Sequence, residues 1–159
     1  MSKMFFETID TACIDPNDLP WTPFTPYTDE VHVKLLRVDP VKGETVTMLR
    51  APVGMQLPKH HHSGTVQLYT IAGAWKYLEH DWVAKPGDVV LETAGSSHTP
   101  VGVEGYGDEI ITFQITTGDL LYLDENDQVC AIENWKSAMD RYLAYCHAND
   151  VAPKDLSHA

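Results

Sequence analysis

Basic residues are scarce in this chain. Lysine and arginine together number 11 against 23 aspartates and glutamates, a formal net charge of −12. A nucleic-acid or anionic-membrane partner needs a basic face, so neither is expected, and the excess acid reads as solubility. Cysteine is also sparse. Cys13, Cys130 and Cys146 are odd in number and far apart, which argues against a disulfide framework or a thiolate zinc motif and leaves free reduced thiols. No apolar run approaches the ~20 residues that span a bilayer. The opening Met1-Ser2-Lys3-Met4-Phe5-Phe6-Glu7 has no secretory apolar core, so a cytoplasmic location is expected. Internal repeats and low-complexity tracts are absent from the 159 residues. That length suits one domain, which buries about two-thirds of its unfolded surface.

What is present is a succession of short strand candidates: Val31–Asp39, Glu44–Ala51, Val53–His62, Val66–Ile71, Trp75–Glu79, Asp81–Val83, Val89–Glu92, Glu109–Thr116 and Leu120–Leu123. Lys42-Gly43-Glu44, Ala72-Gly73, Lys85-Pro86-Gly87-Asp88 and Ala94-Gly95-Ser96-Ser97 supply turns between them. Many short strands with Gly and Pro turns predict an all-β sandwich or barrel. Residues 1–30 hold Pro16, Pro20, Pro23 and Pro26. They read as an extended arm lying over the body, anchored by Trp21, Phe24 and Tyr27. Beyond Glu125 the pattern changes. Ile132, Trp135, Met139 and Leu143, with Tyr142, recur at helical spacing. One amphipathic helix is expected from about 132 to 147, its stripe used for packing and its start capped by Glu133 or Asn134. The expected layout is an arm over 1–30, a β body over 31–124 and a helix and tail over 125–159, one domain in all.

Histidine carries the chemistry. His60, His61 and His62 are consecutive, and His98 follows later. Side chains two apart on a strand share a face, so His60 and His62 can hold one ion while His61 points away, second shell or surface. His98 has to arrive from another strand. Imidazole suits zinc, copper, iron and nickel. His32, His80, His147 and His158 have no partner spacing, although His80 in Glu79-His80-Asp81 can lie near a rim.

The wider spacing resembles a known family. Gly54-x5-His60-x-His62 closed by Gly73, and Pro86-Gly87-Asp88-x6-Gly95-x2-His98, match the two motifs of the cupin superfamily, a small jelly-roll barrel, over roughly residues 45–115. The resemblance implies a single-domain cupin jelly-roll barrel with a proline-rich N-terminal arm and a C-terminal α-helix. It departs from most metal cupins where they carry a glutamate after the histidine pair. Here Val66 and Gln67 stand in that slot. Parity favours Val66 facing the metal, unless a bulge at Ser63-Gly64 turns Gln67 inward. The expected protein ligands are therefore three neutral imidazoles with no carboxylate. That leaves a divalent ion its full charge and favours an anionic oxygen chelate.

Trp75 to Ala84 followed by Pro86-Gly87-Asp88, then Glu92-x2-Gly95-x2-His98-Thr99-Pro100, resemble the acetylacetone-cleaving and 2,4'-dihydroxyacetophenone dioxygenases, as do Leu19-Pro20-Trp21 and the terminal helix. This resemblance implies Fe(II) on His60, His62 and His98, with zinc or nickel able to occupy the site on purification. It also implies cleavage with O2 of a carbon–carbon bond in a small β-diketone or hydroxyketone. Glu92 shares parity with His98 and is the candidate to orient a ligand imidazole. Gln67 is a candidate to orient water or substrate. Tyr69, Tyr77, Phe113 and Trp75 are candidates for pocket walls, Tyr69 also for a catalytic role. Gly95-Ser96-Ser97-His98-Thr99-Pro100 is similar also to the cupin domain of zinc-binding anti-sigma factors, so a sensory, ligand-binding cupin without turnover is an alternative. A zinc, nickel or manganese cupin isomerase or hydrolase is another. Exposed sheet edges and the arm predict a homodimer or homotetramer.

Overall fold

The computed structural model describes residues 10–157; Met1–Glu7 and His158 lie outside them. Twelve strands and one α-helix follow in chain order: β1 Thr22–Pro23, β2 His32–Asp39, β3 Glu44–Pro52, β4 His60–His62, β5 Val66–Ala72, β6 Trp75–Tyr77, β7 Val89–Glu92, β8 Ser97–His98, β9 Pro100–Gly102, β10 Glu109–Thr117, β11 Leu120–Leu123, β12 Val129–Glu133 and α1 Trp135–Ala148. One sheet has the order β1-β2-β3-β10-β5-β7, a second β12-β11-β4-β8, and β6 pairs with β9 alone. All pairings are antiparallel. The result is a jelly roll whose main sheets remain separate rather than merging into one closed barrel.

The strand pattern of β5 shows how the sheet is read. Val66, Leu68 and Thr70 are buried and Gln67, Tyr69 and Ile71 are exposed, the alternation of a sheet with one wet face. Gly73 turns the chain after β5 at φ +71, where a Cβ would run into the Glu109 carbonyl, so only glycine fits. The first core lies between the sheets and includes Phe24, Val33, Leu57, Trp75, Tyr77, Ile110 and Tyr122. A second core lies where α1 covers the other face of β2 and β3, with Leu19, Leu35, Leu36, Val38, Tyr142 and Cys146. Each buried leucine there contributes about 1.5–3 kcal/mol relative to an exposed one.

Several expectations shift at the ends. The β part does not finish at Leu123, because Val129–Glu133 pairs with β11 as β12. Ile132, counted in the helical stripe, is 54% exposed on that strand. The helix therefore starts at Trp135, with Asn134 accepting from Lys136 N and Ser137 N and Ser137 accepting in return from Asn134 N, a capping box. Its packed face runs through Trp135, Ala138, Met139, Tyr142 and Cys146, while Leu143 stays exposed. Residues 53–59 form a loop rather than a strand, His98 arrives on a short strand, Ser97–His98, as expected, and Pro100–Gly102 adds another.

The arm does more than lie over the body. Pro23 sits in β1 at the edge of the large sheet, where a missing N–H is tolerated. Trp21 packs beneath the Lys34 ammonium and Arg50 guanidinium. Phe24 and Tyr27 enter the first core, under the Arg141 guanidinium. Arg141 donates two bonds of 2.7 Å to the Glu133 carboxylate and a third of 2.8 Å to the Thr25 carbonyl. This clasp joins arm, β12 and α1. Glu133→Ala removes the partner of a nearly buried guanidinium and should lower the unfolding free energy by about 3 kcal/mol. The expected drop in Tm is roughly 6–12 °C, measurable by thermal denaturation followed by circular dichroism.

Candidate metal centre

Strand β4 has β11 on one side and β8 on the other, and the register sets His60 opposite both Tyr122 and His98. His60 and His62 turn inward and are buried, as is His98. His61 turns outward and bonds to Ser97 Oγ at 2.8 Å. The three inward rings have centroids 4.8–5.0 Å apart, and their candidate ligand atoms all lie within 4.8 Å of one another. This group of three histidines could hold a metal ion. The Nδ1–H of His60 donates to the Pro58 carbonyl at 3.0 Å, which leaves Nε2 as the free lone pair. Burial, reinforced by His62 and His98, pushes the His60 pKa down to about 3, so the ring is neutral and ready to ligate at ordinary pH.

An acidic group stands beside these rings, contrary to the expectation of an all-imidazole site. Glu92 Oε2 lies 3.0 Å from His62 Nε2 and 3.2 Å from His98 Nε2. The carboxylate comes not from the strand after the histidine pair but from β7, whose register sets Glu92 opposite Val66. Val66 faces the site and Gln67 faces away; the register shift in the β5–β10 pairing falls at the far end of β5. The Tyr77 hydroxyl donates a short hydrogen bond to Glu92 Oε1, and the Tyr77 ring stacks on His98 at 3.8 Å and 11°. Tyr77 thus fixes both groups. Burial alone would raise the Glu92 pKa, but His62 and His98 outweigh it and hold the carboxyl well below the usual range. Burial and Glu92 push the Tyr77 hydroxyl well above its ordinary value, so it stays a donor.

Among the described residues, Glu92 Oε2, His98 Nε2 and His62 Nδ1 are buried with no hydrogen-bond partner. Orphaned atoms of this kind require an explanation, and a divalent cation shared by Glu92 and His98 supplies one. The residues present therefore fit a metal. An ion held by three neutral imidazoles beside one carboxylate keeps about one positive charge, not two.

The site opens into a cavity of about 90 Å³, well under the ~300 Å³ of pockets for drug-sized ligands. Trp75 and Tyr77 line it, as expected. Phe113 does not; it packs in the second core beneath α1. Tyr69 is 46% exposed and Gln67 is exposed, both on the outer face of β5, so neither reaches the site and their expected roles are withdrawn. His80 stacks on Trp82 outside the cavity. Gln114 and Tyr122 line the cavity and were missed. The parity of β10 was available for Gln114, but its apolar alternate residues pointed to the wrong inner face.

The family model described as the ChrR cupin-like domain matches residues 10–117, and the chain belongs to that family. An RmlC-like cupin protein from Ralstonia eutropha is 57% identical, covering 97% of this chain and 98% of its own, with a TM-score of 0.93. An acetylacetone dioxygenase from Acinetobacter johnsonii is 20% identical over 85% of this chain and 91% of its own, TM-score 0.72. The Rhodobacter sphaeroides complex of SigE with the anti-sigma ChrR contains a chain 22% identical over 62% of this one and 50% of its own, TM-score 0.51. The last two share the fold. Among curated proteins nothing matches.

Metal content decides the site. His60→Ala, His62→Ala and His98→Ala should each abolish stoichiometric zinc in reconstituted protein by elemental analysis, and Glu92→Gln should weaken affinity about 10–100-fold. Chelator-stripped wild type should melt below the reconstituted form. Bound metal should be lost as pH falls, because protons compete for the imidazoles.

Proposed function

We propose that this chain is a metal-dependent dioxygenase, Fe(II) in its active form, that cleaves a carbon–carbon bond of a small β-diketone or hydroxyketone with O2. One observation carries the reading: a small, mostly apolar cavity is lined by His60, His62 and Glu92, with His98 grouped beside them. With one positive charge left at the centre, a singly deprotonated dicarbonyl or hydroxyketone neutralises it. The fold shared with an acetylacetone dioxygenase supports the same choice.

Iron, when bound, supplies the two-oxygen chelation of the substrate and the activation of O2. His60, His62 and His98 would hold it. Tyr77 engages Glu92 Oε1 and so keeps the ionised carboxylate aimed with Oε2 at the histidine side, and the substrate binds as its monoanion. The apolar walls, among them Met55, Leu57, Leu68 and Trp75, exclude water while the chelate forms. The cavity volume restricts the reacting end to a few heavy atoms. In the balanced reaction both atoms of O2 end in the two fragments, with no external reductant.

The family description favours a second reading, a metal-binding cupin that senses a ligand without turnover. An oxygen-electrode screen of Fe(II)-loaded protein with acetylacetone, longer diketones and dihydroxyacetophenones separates the two. Uptake of one O2 per substrate is expected. It should fall by about 10–100-fold in Glu92→Gln and stay within twofold of wild type in Gln67→Ala and Tyr69→Ala, whose side chains face outward. Tight ligand binding without uptake would move the assignment to the sensory reading.

A further inference from the structure

The metal cavity does not end at the metal. A second hollow of about 70 Å³ adjoins it, and Phe24, Leu49, Gln114, Thr116 and Leu120 line both. Thr45, Thr47 and the Glu133–Arg141 pair are among the residues completing its wall. Strand register explains the polar patch. On β3 and β10, Thr47 stands opposite Gln114 and Thr45 opposite Thr116, so the four side chains share one face as neighbouring pairs.

These polar groups are not used by the fold. Thr47 is 6% exposed, and its Oγ1 is buried with no hydrogen-bond partner. Among the described residues, no hydrogen bond engages the side chains of Thr45, Gln114 or Thr116. The nearby charges are already committed: Glu133 and Arg141 pair through two bonds of 2.7 Å, and Arg141 Nε is held by Thr25. The hollow therefore offers neutral donors and acceptors and no unpaired charge. Its volume suits about two waters at ~30 Å³ each, or one small polar substituent that replaces their hydrogen bonds.

We propose that this second hollow is a substrate subsite that takes a neutral hydrogen-bonding substituent, a hydroxyl or carbonyl, on a bifunctional ligand whose other end chelates the metal. Thr47 and Gln114 set that specificity. The proposal rests on the diketone or hydroxyketone reading of the metal cavity and narrows it. The preferred substrate is an oxygen-bearing dicarbonyl, not a plain hydrocarbon one. A site built to bond a substrate hydroxyl rejects the analogue lacking it, because its own polar groups are left unpaired.

The test uses two ligands of equal heavy-atom count and identical chelating head, heptane-2,4-dione and 6-hydroxyhexane-2,4-dione. Their binding to zinc-loaded full-length protein is measured by calorimetry, with no turnover involved. The hydroxylated dione should bind about tenfold tighter to wild type. Thr47→Val keeps the side-chain shape and should erase that preference. Thr47→Ser should retain the preference, and Gln114→Met should reduce it, which covers the case of a Thr47→Val protein that does not fold. Equal binding of both diones to wild type, or a preference that survives Thr47→Val and Gln114→Met, overturns the subsite and leaves waters alone in the hollow. Failure of both diones to bind overturns the diketone reading of the cavity and the subsite with it.

Discussion

The rest of the structure depends on the burial of a carboxylate among three imidazoles. Glu92, His60, His62 and His98 are each 7% exposed or less. A charge taken out of water is costly unless it is paired and bonded. Tyr77 satisfies one oxygen of Glu92, and the other is left facing His62 and His98. A cation at that point would give these mutually orphaned groups a common partner. Three separate pairings hold the groups at this spacing: β4 with β8 for His98, β4 with β11 for the His60–His62 strand, and β5 with β7 for Glu92. A one-residue slip in any of them sends the side chain to the opposite face.

That arrangement makes distant parts of the chain responsible for the site. Tyr122 lies against His60 at 5.7 Å and against Tyr27 at 4.1 Å. Tyr27 hydrogen-bonds Glu133, the partner of Arg141. A continuous packed path thus runs from the helix through the arm to a metal-binding ring. Phe24, at the same junction, lines both hollows. Through Phe24 the arm is a wall of the cavity. The ion pair is worth more for position than for net stability, since a buried pair contributes little against an apolar replacement.

The histidines were legible because their signal is local and has the period of a strand. His60 and His62 two apart, and a single His98 after a Gly-rich turn, needed only the alternation rule and one pairing. Val66 as the inward residue followed from the same parity. Glu92 was legible as a partner of the ligands, since it shares strand parity with His98. Its approach to within 3.2 Å of two ring nitrogens was not, because that distance depends on the β5–β7 register rather than on spacing along the chain. Gln67 and Tyr69 failed for a different reason. Their side chains suit the chemistry, but strand parity points both outward. The carboxy-terminal boundary failed because Val129–Glu133 carries residues compatible with either strand or helix, and pairing with β11 decided between them.

Strand β10 shows why amphipathic reasoning can invert at a ligand-binding face. Its alternate residues are Ile111, Phe113 and Ile115 on one side and Thr112, Gln114 and Thr116 on the other. A sheet with one wet face would turn the isoleucines and phenylalanine toward the core. Here both faces are covered. Phe113 meets the layer under α1, and the polar set faces the interior between the sheets. An interior lined by threonine and glutamine packs worse than one lined by valine and leucine, and it leaves the Thr47 hydroxyl, across the pairing from Gln114, without a bond. A fold selected for stability alone has no reason to keep such a stripe. Its place beside the metal cavity gives it one, because polar groups that the protein leaves unsatisfied are available to whatever enters.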